Sequence, residues 1–207
     1  IQAFENDQHL VLHGVAGTGK TFISAYLALR SIQEEEYQKL FFLRSAVPTR
    51  DMGFLPGNWR QKAQVYEDPY RQICNELYGR GDAYDILKQK NYVEFLTTSF
   101  VRGTTFRDCV LLIDEIITRV GPNCRVIFCG DYRQSDLKTN EERSGLKQFI
   151  KILNTIRSFA HFEFGIDDII FTELVYFCST RRCFSRNFIS LFFTYSFTPF
   201  HNAFFGG

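Results

Sequence analysis

Between a short apolar run, His9 to Leu12, and a segment whose Phe22, Ile23, Tyr26, Leu27 and Leu29 recur at helical spacing, the chain reads Gly14-Val15-Ala16-Gly17-Thr18-Gly19-Lys20-Thr21. This fits the pattern G-x-x-x-x-G-K-[ST] in the setting that the pattern needs, after a strand and at the start of a helix. The glycines let the backbone curl with its N–H groups pointing inward, where side chains would obstruct an anion. The helix N-terminus adds partial positive charge. In such a loop the lysine reaches the β- and γ-phosphates of a nucleotide and the hydroxyl after it binds Mg²⁺. Lys20 and Thr21 are the residues expected in those roles here. The candidate nucleotide-binding residues are Gly14, Val15, Ala16, Gly17, Thr18, Gly19, Lys20, Thr21 and Phe22.

Strands and helices continue to alternate beyond this unit. Leu40 to Arg44 reads as a strand feeding a loop punctuated by Gly and Pro from Pro48 to Gly57, Ala63 to Gly79 and Ala83 to Lys90 as helices, and Tyr92 to Thr97 as a strand. Cys109 to Ile113 and Arg125 to Cys129 are short and nearly all apolar, as parallel strands buried on both faces are. The alternation, which runs to about Leu153, predicts a three-layer α/β domain with its site at the carboxyl ends of the strands. Only Ile116 to Asn123 separates the two apolar runs, whereas a parallel crossover through a helix takes a dozen or so residues. Either the two strands are not joined by a helix or a segment is missing between them, and the shortness favours a missing segment.

The 207 residues suffice for one domain of ordinary size, with or without an extension. We divide them into a domain over residues 1–170 and a separate phenylalanine-rich segment over 171–207, which contains no lysine and only Glu173 as an acid. A formal net charge of +1 sets up no broad field for nucleic acid, so any such partner has to be argued from local sites. The six cysteines show no paired metal-ligand spacing and read as reduced, mostly buried thiols. With no leader pattern and no apolar run long enough to cross a bilayer, the expectation is a cytoplasmic protein without membrane association.

Two acidic sites follow the buried runs. Asp114 and Glu115 emerge after Ile113, where P-loop enzymes hold the aspartate that completes the Mg²⁺ shell and a glutamate that deprotonates or orients the attacking water. Gly130-Asp131-Tyr132-Arg133-Gln134 ends the next strand, and Gln134 there can hydrogen-bond the attacking water or the γ-phosphate. The candidate catalytic residues are therefore Lys20, Glu115 and Gln134, with Thr21 and Asp114 for the metal. This order points towards helicase-like ATPases and away from kinases.

Taken together, GVAGTGKT (14–21), RSAVPTRDMGFLPG (44–57), RGTTFRD (102–108), LLIDE (111–115), TRVG (118–121) and IFCGDYRQSDL (127–137) resemble the PhoH family, particularly the PhoH-like proteins of tailed phages. The resemblance spans Gly14 to Ile170, and the GFLPG loop combined with RGTT is its most specific part. It implies an α/β fold of the RecA-like P-loop NTPase kind with a mostly parallel sheet, similar to the first motor domain of superfamily-one helicases. It also implies ATP and Mg²⁺ as cofactors, ATPase activity, and a link to RNA or single-stranded DNA. The loop with Arg44, Thr49 and Arg50 falls where such helicases hold a strand's backbone, and Arg102 and Thr104 are further candidates for that contact.

The chain departs from the family pattern in three places. Ile116 and Ile117 replace a glutamine-containing stretch, Phe171-Thr172-Glu173 stands where relatives carry an arginine, and the glutamine that helps recognise adenine would precede Ile1. One motor domain does not clamp and step along a strand alone, so helicase activity would require a homo-oligomer or another chain. A nucleotide-binding module with little hydrolysis, acting through a protein partner, is the alternative. A phosphotransferase is a third reading, and no acceptor site speaks for it.

Overall fold

The computed structural model describes residues 1–44, 59–97, 101, 105–113, 123–130 and 140–169; the side chains of 59–63 and 140–147 are outside that description. Six strands form one sheet, β1 (His9–Gly14), β2 (Lys39–Arg44), β3 (Val93–Thr97), β4 (Cys109–Ile113), β5 (Cys124–Gly130) and β6 (Phe159–Phe164). Their spatial order is β3-β2-β4-β5-β1-β6 and every described pairing is parallel. The α/β reading holds, and the described sheet is parallel throughout.

The apolar runs become the middle of the sheet because their side chains can be buried on both faces at once. All five residues of β4 are fully buried, and β4 pairs with β2 on one side and β5 on the other. Leu40, Phe42, Val110, Leu112, Ile127, Leu10 and Leu12 face one layer, where they pack with helices α2 (Lys20–Gln33), α3 (Trp59–Tyr78) and α4 (Ala83–Gln89). Leu43, Leu111, Ile113 and Val126 face the other, with Val101 and Phe106. Helix α5 (Asn140–Thr155) lies on that second face, where Phe149 meets the Phe128 ring edge-on at 5.3 Å. This completes three layers.

The helix positions follow from connection direction. From β1 the chain passes leftward through α2 to β2 and on to β3, whereas from β5 it passes rightward through α5 to β6. Parallel crossovers are right-handed, so reversing the direction moves the helix to the opposite face. The reversal falls between β1 and β5, and sheets of this kind bind ligands at the carboxyl ends of the strands at such a point.

β4 and β5 are indeed parallel neighbours, paired from Cys109 with Cys124 to Ile113 with Phe128. Their connection, residues 114–122, lies outside the described residues, as does the segment 171–207. Helix α3 begins earlier than the predicted Ala63 and contains Pro69. The four-residue helix α1 (Gln2–Glu5) and strand β6 carry no clear periodicity in the sequence, and both are set by contacts with distant residues.

The most elaborate of those contacts belongs to Arg125, which the sequence places inside an apolar run. Its guanidinium is buried and donates to the Phe4 carbonyl at 2.9 Å, the Gln8 carbonyl at 3.1 Å, the Tyr37 hydroxyl at 2.8 Å and the Asp7 carboxylate. It also lies over the Phe4 and Tyr37 rings. A buried charge needs this many partners to offset its lost hydration. The side chain thereby ties α1 and the α2–β2 turn to the amino end of the sheet, opposite the strands' carboxyl ends.

Candidate nucleotide site

Gly14 ends β1 and the loop begins there. Its φ is +133°, and a Cβ at this position would lie 2.0 Å from the Phe164 carbonyl oxygen at the end of β6. Only a residue without a side chain lets the two strand ends approach this closely. The Val15 N–H donates to the same Phe164 carbonyl at 3.1 Å, so the entry to the loop is fastened to the edge strand. Gly17 and Gly19 have φ of +80° and +75°, which turn the chain back on itself.

Gly19 then caps α2 in the left-handed conformation with no side chain closing the helix start. The first N–H groups of a helix have no partner within it, so they face the loop's interior together with the positive end of the helix dipole. Lys20 sits in that concavity, only 8% exposed. Its ammonium donates to the Val15 carbonyl at 2.6 Å, the Gly14 carbonyl at 3.2 Å and the Thr18 hydroxyl at 3.1 Å. Thr18, also buried, donates in turn to the Val15 carbonyl at 2.9 Å. Thr21 stands half-buried in the first turn of α2, with Phe22 after it, while Ala16 is exposed at the loop's tip.

The donor set fits a nucleoside polyphosphate. A buried ammonium, glycines that leave room for backbone N–H groups, and an uncapped helix start are the groups that bind phosphate oxygens. Thr21 has the hydroxyl that would contribute to holding Mg²⁺. Among the described residues no group of three or more His, Cys, Asp or Glu side chains is placed to hold a metal ion. The described residues also contain no helix long and apolar enough to cross a membrane.

All the candidates from Gly14 to Phe22 are thus brought together in one turn. Arg44 is the other described candidate; it ends β2 at the same carboxyl edge, with its guanidinium 5.5 Å from the Tyr66 ring centre. With β4 and β5 between β2 and β1, Arg44 lies about 14 Å along the sheet from the loop, three inter-strand spacings. Asp114, Glu115, Gln134, Thr49, Arg50, Arg102 and Thr104 lie outside the described residues. Asp114 directly follows Ile113 of β4, and Asp131 directly follows Gly130 of β5.

Four cysteines are described, Cys74, Cys109, Cys124 and Cys129, and all are buried free thiols. Burial pushes the Cys74 and Cys109 thiols far above their usual range, and Cys109 is raised further by its contact with Cys124. Cys74 and Cys109 are packing groups rather than nucleophiles. Two residues outside the predicted set touch the loop's surroundings, Ser24 and Phe164. Ser24 carries a weak signal, a polar residue four after Lys20 on the largely apolar buried side of α2, where Ser31 is also polar. Phe164 carries none, since its carbonyl does the work.

A parallel sheet with helices on both faces, and a glycine loop with a buried lysine at its switch point, define the P-loop class of nucleotide-binding architecture. Within that class, the family model described as PhoH-like protein matches residues 1–179, and the chain belongs to the PhoH family. A PhoH-like protein of Synechocystis is 28% identical over 187 residues, covering 84% of this chain and 56% of its own. A PhoH-like protein of Mycobacterium tuberculosis is 30% identical over 185 residues, with shares of 81% and 48%. For Protein PhoH of Escherichia coli the identity is 28% over 187 residues, with shares of 84% and 52%. The chain therefore spans about half the length of these relatives.

Proposed function

We propose that this protein binds ATP with Mg²⁺ at the loop from Gly14 to Phe22 and hydrolyses it, in a cycle coupled to RNA or single-stranded DNA. The observation that carries the reading is Lys20, a buried ammonium held by the loop's own carbonyls at the start of an uncapped helix and at the sheet's switch point. A cation buried in such a place is a site for transferable anionic groups, because phosphate oxygens satisfy it better than neutral carbonyls do.

In this reading Lys20 binds the β- and γ-phosphates, and Thr21 with Asp114 holds the metal. Bound Mg²⁺ supplies neutralisation of the charge that builds on the phosphate oxygens. Glu115 accepts a proton from the attacking water, Gln134 orients that water, and the bond from the γ-phosphorus to the bridging oxygen breaks as the new bond to water forms. Arg44, at the carboxyl end of β2, contacts the strand's phosphates, together with Thr49, Arg50, Arg102 and Thr104. Motor activity would need a second jaw from an oligomer or another chain.

The test is phosphate release from ATP with Mg²⁺, with and without single-stranded RNA and DNA, for the chain and its Lys20→Ala and Glu115→Gln variants. Turnover that rises with a strand and falls by about a hundredfold or more in both variants is the expected result. Lys20-dependent ATP binding without turnover would overturn the hydrolase reading and leave a binding module acting through a protein partner.

A further inference from the structure

One hydroxyl joins the first turn of α2 to β5. Ser24 is fully buried, and its Oγ lies 2.8 Å from the Lys20 carbonyl oxygen and 3.0 Å from Cys129 Sγ. A serine hydroxyl has a single proton. That proton goes to the Lys20 carbonyl, so the Cys129 thiol is the donor to Ser24 Oγ. Cys129, itself 4% exposed, is the penultimate residue of β5 and pairs in register with Leu12 of β1. Gly130 then pairs with His13, immediately before the phosphate loop, and the chain continues into the segment that carries Gln134.

Packing alone does not account for this pair. The other residues facing that layer nearby, Ile127, Leu10, Leu12, Ala25 and Ala28, are apolar and fill it without hydrogen bonds. A serine that bonds back to the carbonyl four residues earlier slightly weakens a helix, and a buried polar group costs stability unless partnered. Alanine at 24 and valine at 129 would avoid both costs. What the polar pair adds is a directional link between α2, which begins with Lys20, and β5, whose end pairs with the end of β1 beside the phosphate loop.

We propose that Ser24 and Cys129 are positioning residues for hydrolysis: through the Lys20 carbonyl they hold the carboxyl end of β5, which precedes Gln134 in sequence, in register with the phosphate loop. This rests on the ATPase reading given above. It predicts that the link governs the rate of the chemical step more than the affinity for nucleotide.

The test compares the full chain with Ser24→Ala, Cys129→Ala, Cys129→Ser and the Ser24→Ala/Cys129→Ala double variant. Steady-state ATP turnover, binding of a non-hydrolysable ATP analogue and the thermal unfolding midpoint are measured for each. The expected result is a kcat lowered about fivefold in each alanine variant, with analogue affinity within about twofold, since one weak hydrogen bond is at stake. The double variant falls no further than either single one, and Cys129→Ser, which keeps a donor, recovers most of the rate. Unchanged kcat in the alanine variants, or kcat, affinity and unfolding midpoint falling together, or fully multiplicative losses in the double variant, would overturn the inference alone. No turnover in the unaltered chain would instead overturn the ATPase reading, and this inference with it.

Discussion

His9 opens β1 with its Nδ1 accepting the Val126 N–H at 3.2 Å, so that nitrogen has to stay unprotonated for the bond to exist. Burial, and then the nearby Arg125 guanidinium, lower its pKa below the ordinary 6.5. The unfolded chain therefore binds this proton at a higher pH than the folded one. Stability from His9 is complete above about pH 6.5 and is lost as pH falls from there through the lowered folded value. Unfolding midpoints measured from pH 7.5 to 5 should decline on the acidic side, and His9→Asn, which keeps an acceptor but does not titrate, should flatten that part of the curve. Gly14 makes a different prediction. Its missing Cβ would meet backbone rather than a movable side chain. Gly14→Ala should cost roughly 2 kcal/mol or more in denaturant unfolding and abolish nucleotide binding, because the clash forces the end of β1 away from β6. At both residues the sequence shows the type and hides the reason. Gly14 is legible as a loop glycine, but the carbonyl that demands it comes from Phe164, 150 positions later.

At the scale of elements, β4 and β6 stand at opposite ends of what could be read. The run Cys109 to Ile113 is nearly continuous apolar sequence, and it becomes the fully buried strand between β2 and β5. Phe159 to Phe164 interleaves apolar residues with His161 and Glu163, pairs among the described strands with β1 alone, and leaves Phe162 40% exposed. An edge strand has one neighbour and partial burial, so its residues feel weaker constraint and its pattern is blurred. Native-state hydrogen exchange should separate the two. The amides of β4 should exchange at the rate of global unfolding, about a hundredfold or more slower than those of β6, which open by local fraying. Equal protection of the two strands would mean that β6 is covered by something else. Helix α2 was legible nearly to the residue, since its apolar period and the loop that starts it coincide in sequence.

For the whole molecule, the site and the sheet are one mechanical unit, because β1 feeds the loop, β6 fastens it and α2 leaves it. Nucleotide binding should then stabilise the entire domain. At a concentration of Mg-ATP about a hundredfold above Kd, the gain is roughly 2.7 kcal/mol, or an unfolding midpoint raised by about 5–10 °C in differential scanning calorimetry. Lys20→Ala should show no such rise, and a rise that persists in that variant would place nucleotide somewhere other than the loop. What the sequence alone determined is what local pattern can encode: an α/β alternation, a phosphate-type loop between strand and helix, and a set of motifs similar to the PhoH family. Each depends on residues close together in the chain, whose spacing directly reflects hydrogen-bonding and burial periods. The strand order was decided only in three dimensions, as were the buried Arg125 that ties α1 to the sheet, the Phe164 carbonyl at the loop's entry and the Ser24–Cys129 contact. These depend on groups far apart in sequence, often on backbone atoms that every residue has, and so they leave no pattern to read until the sheet brings them together.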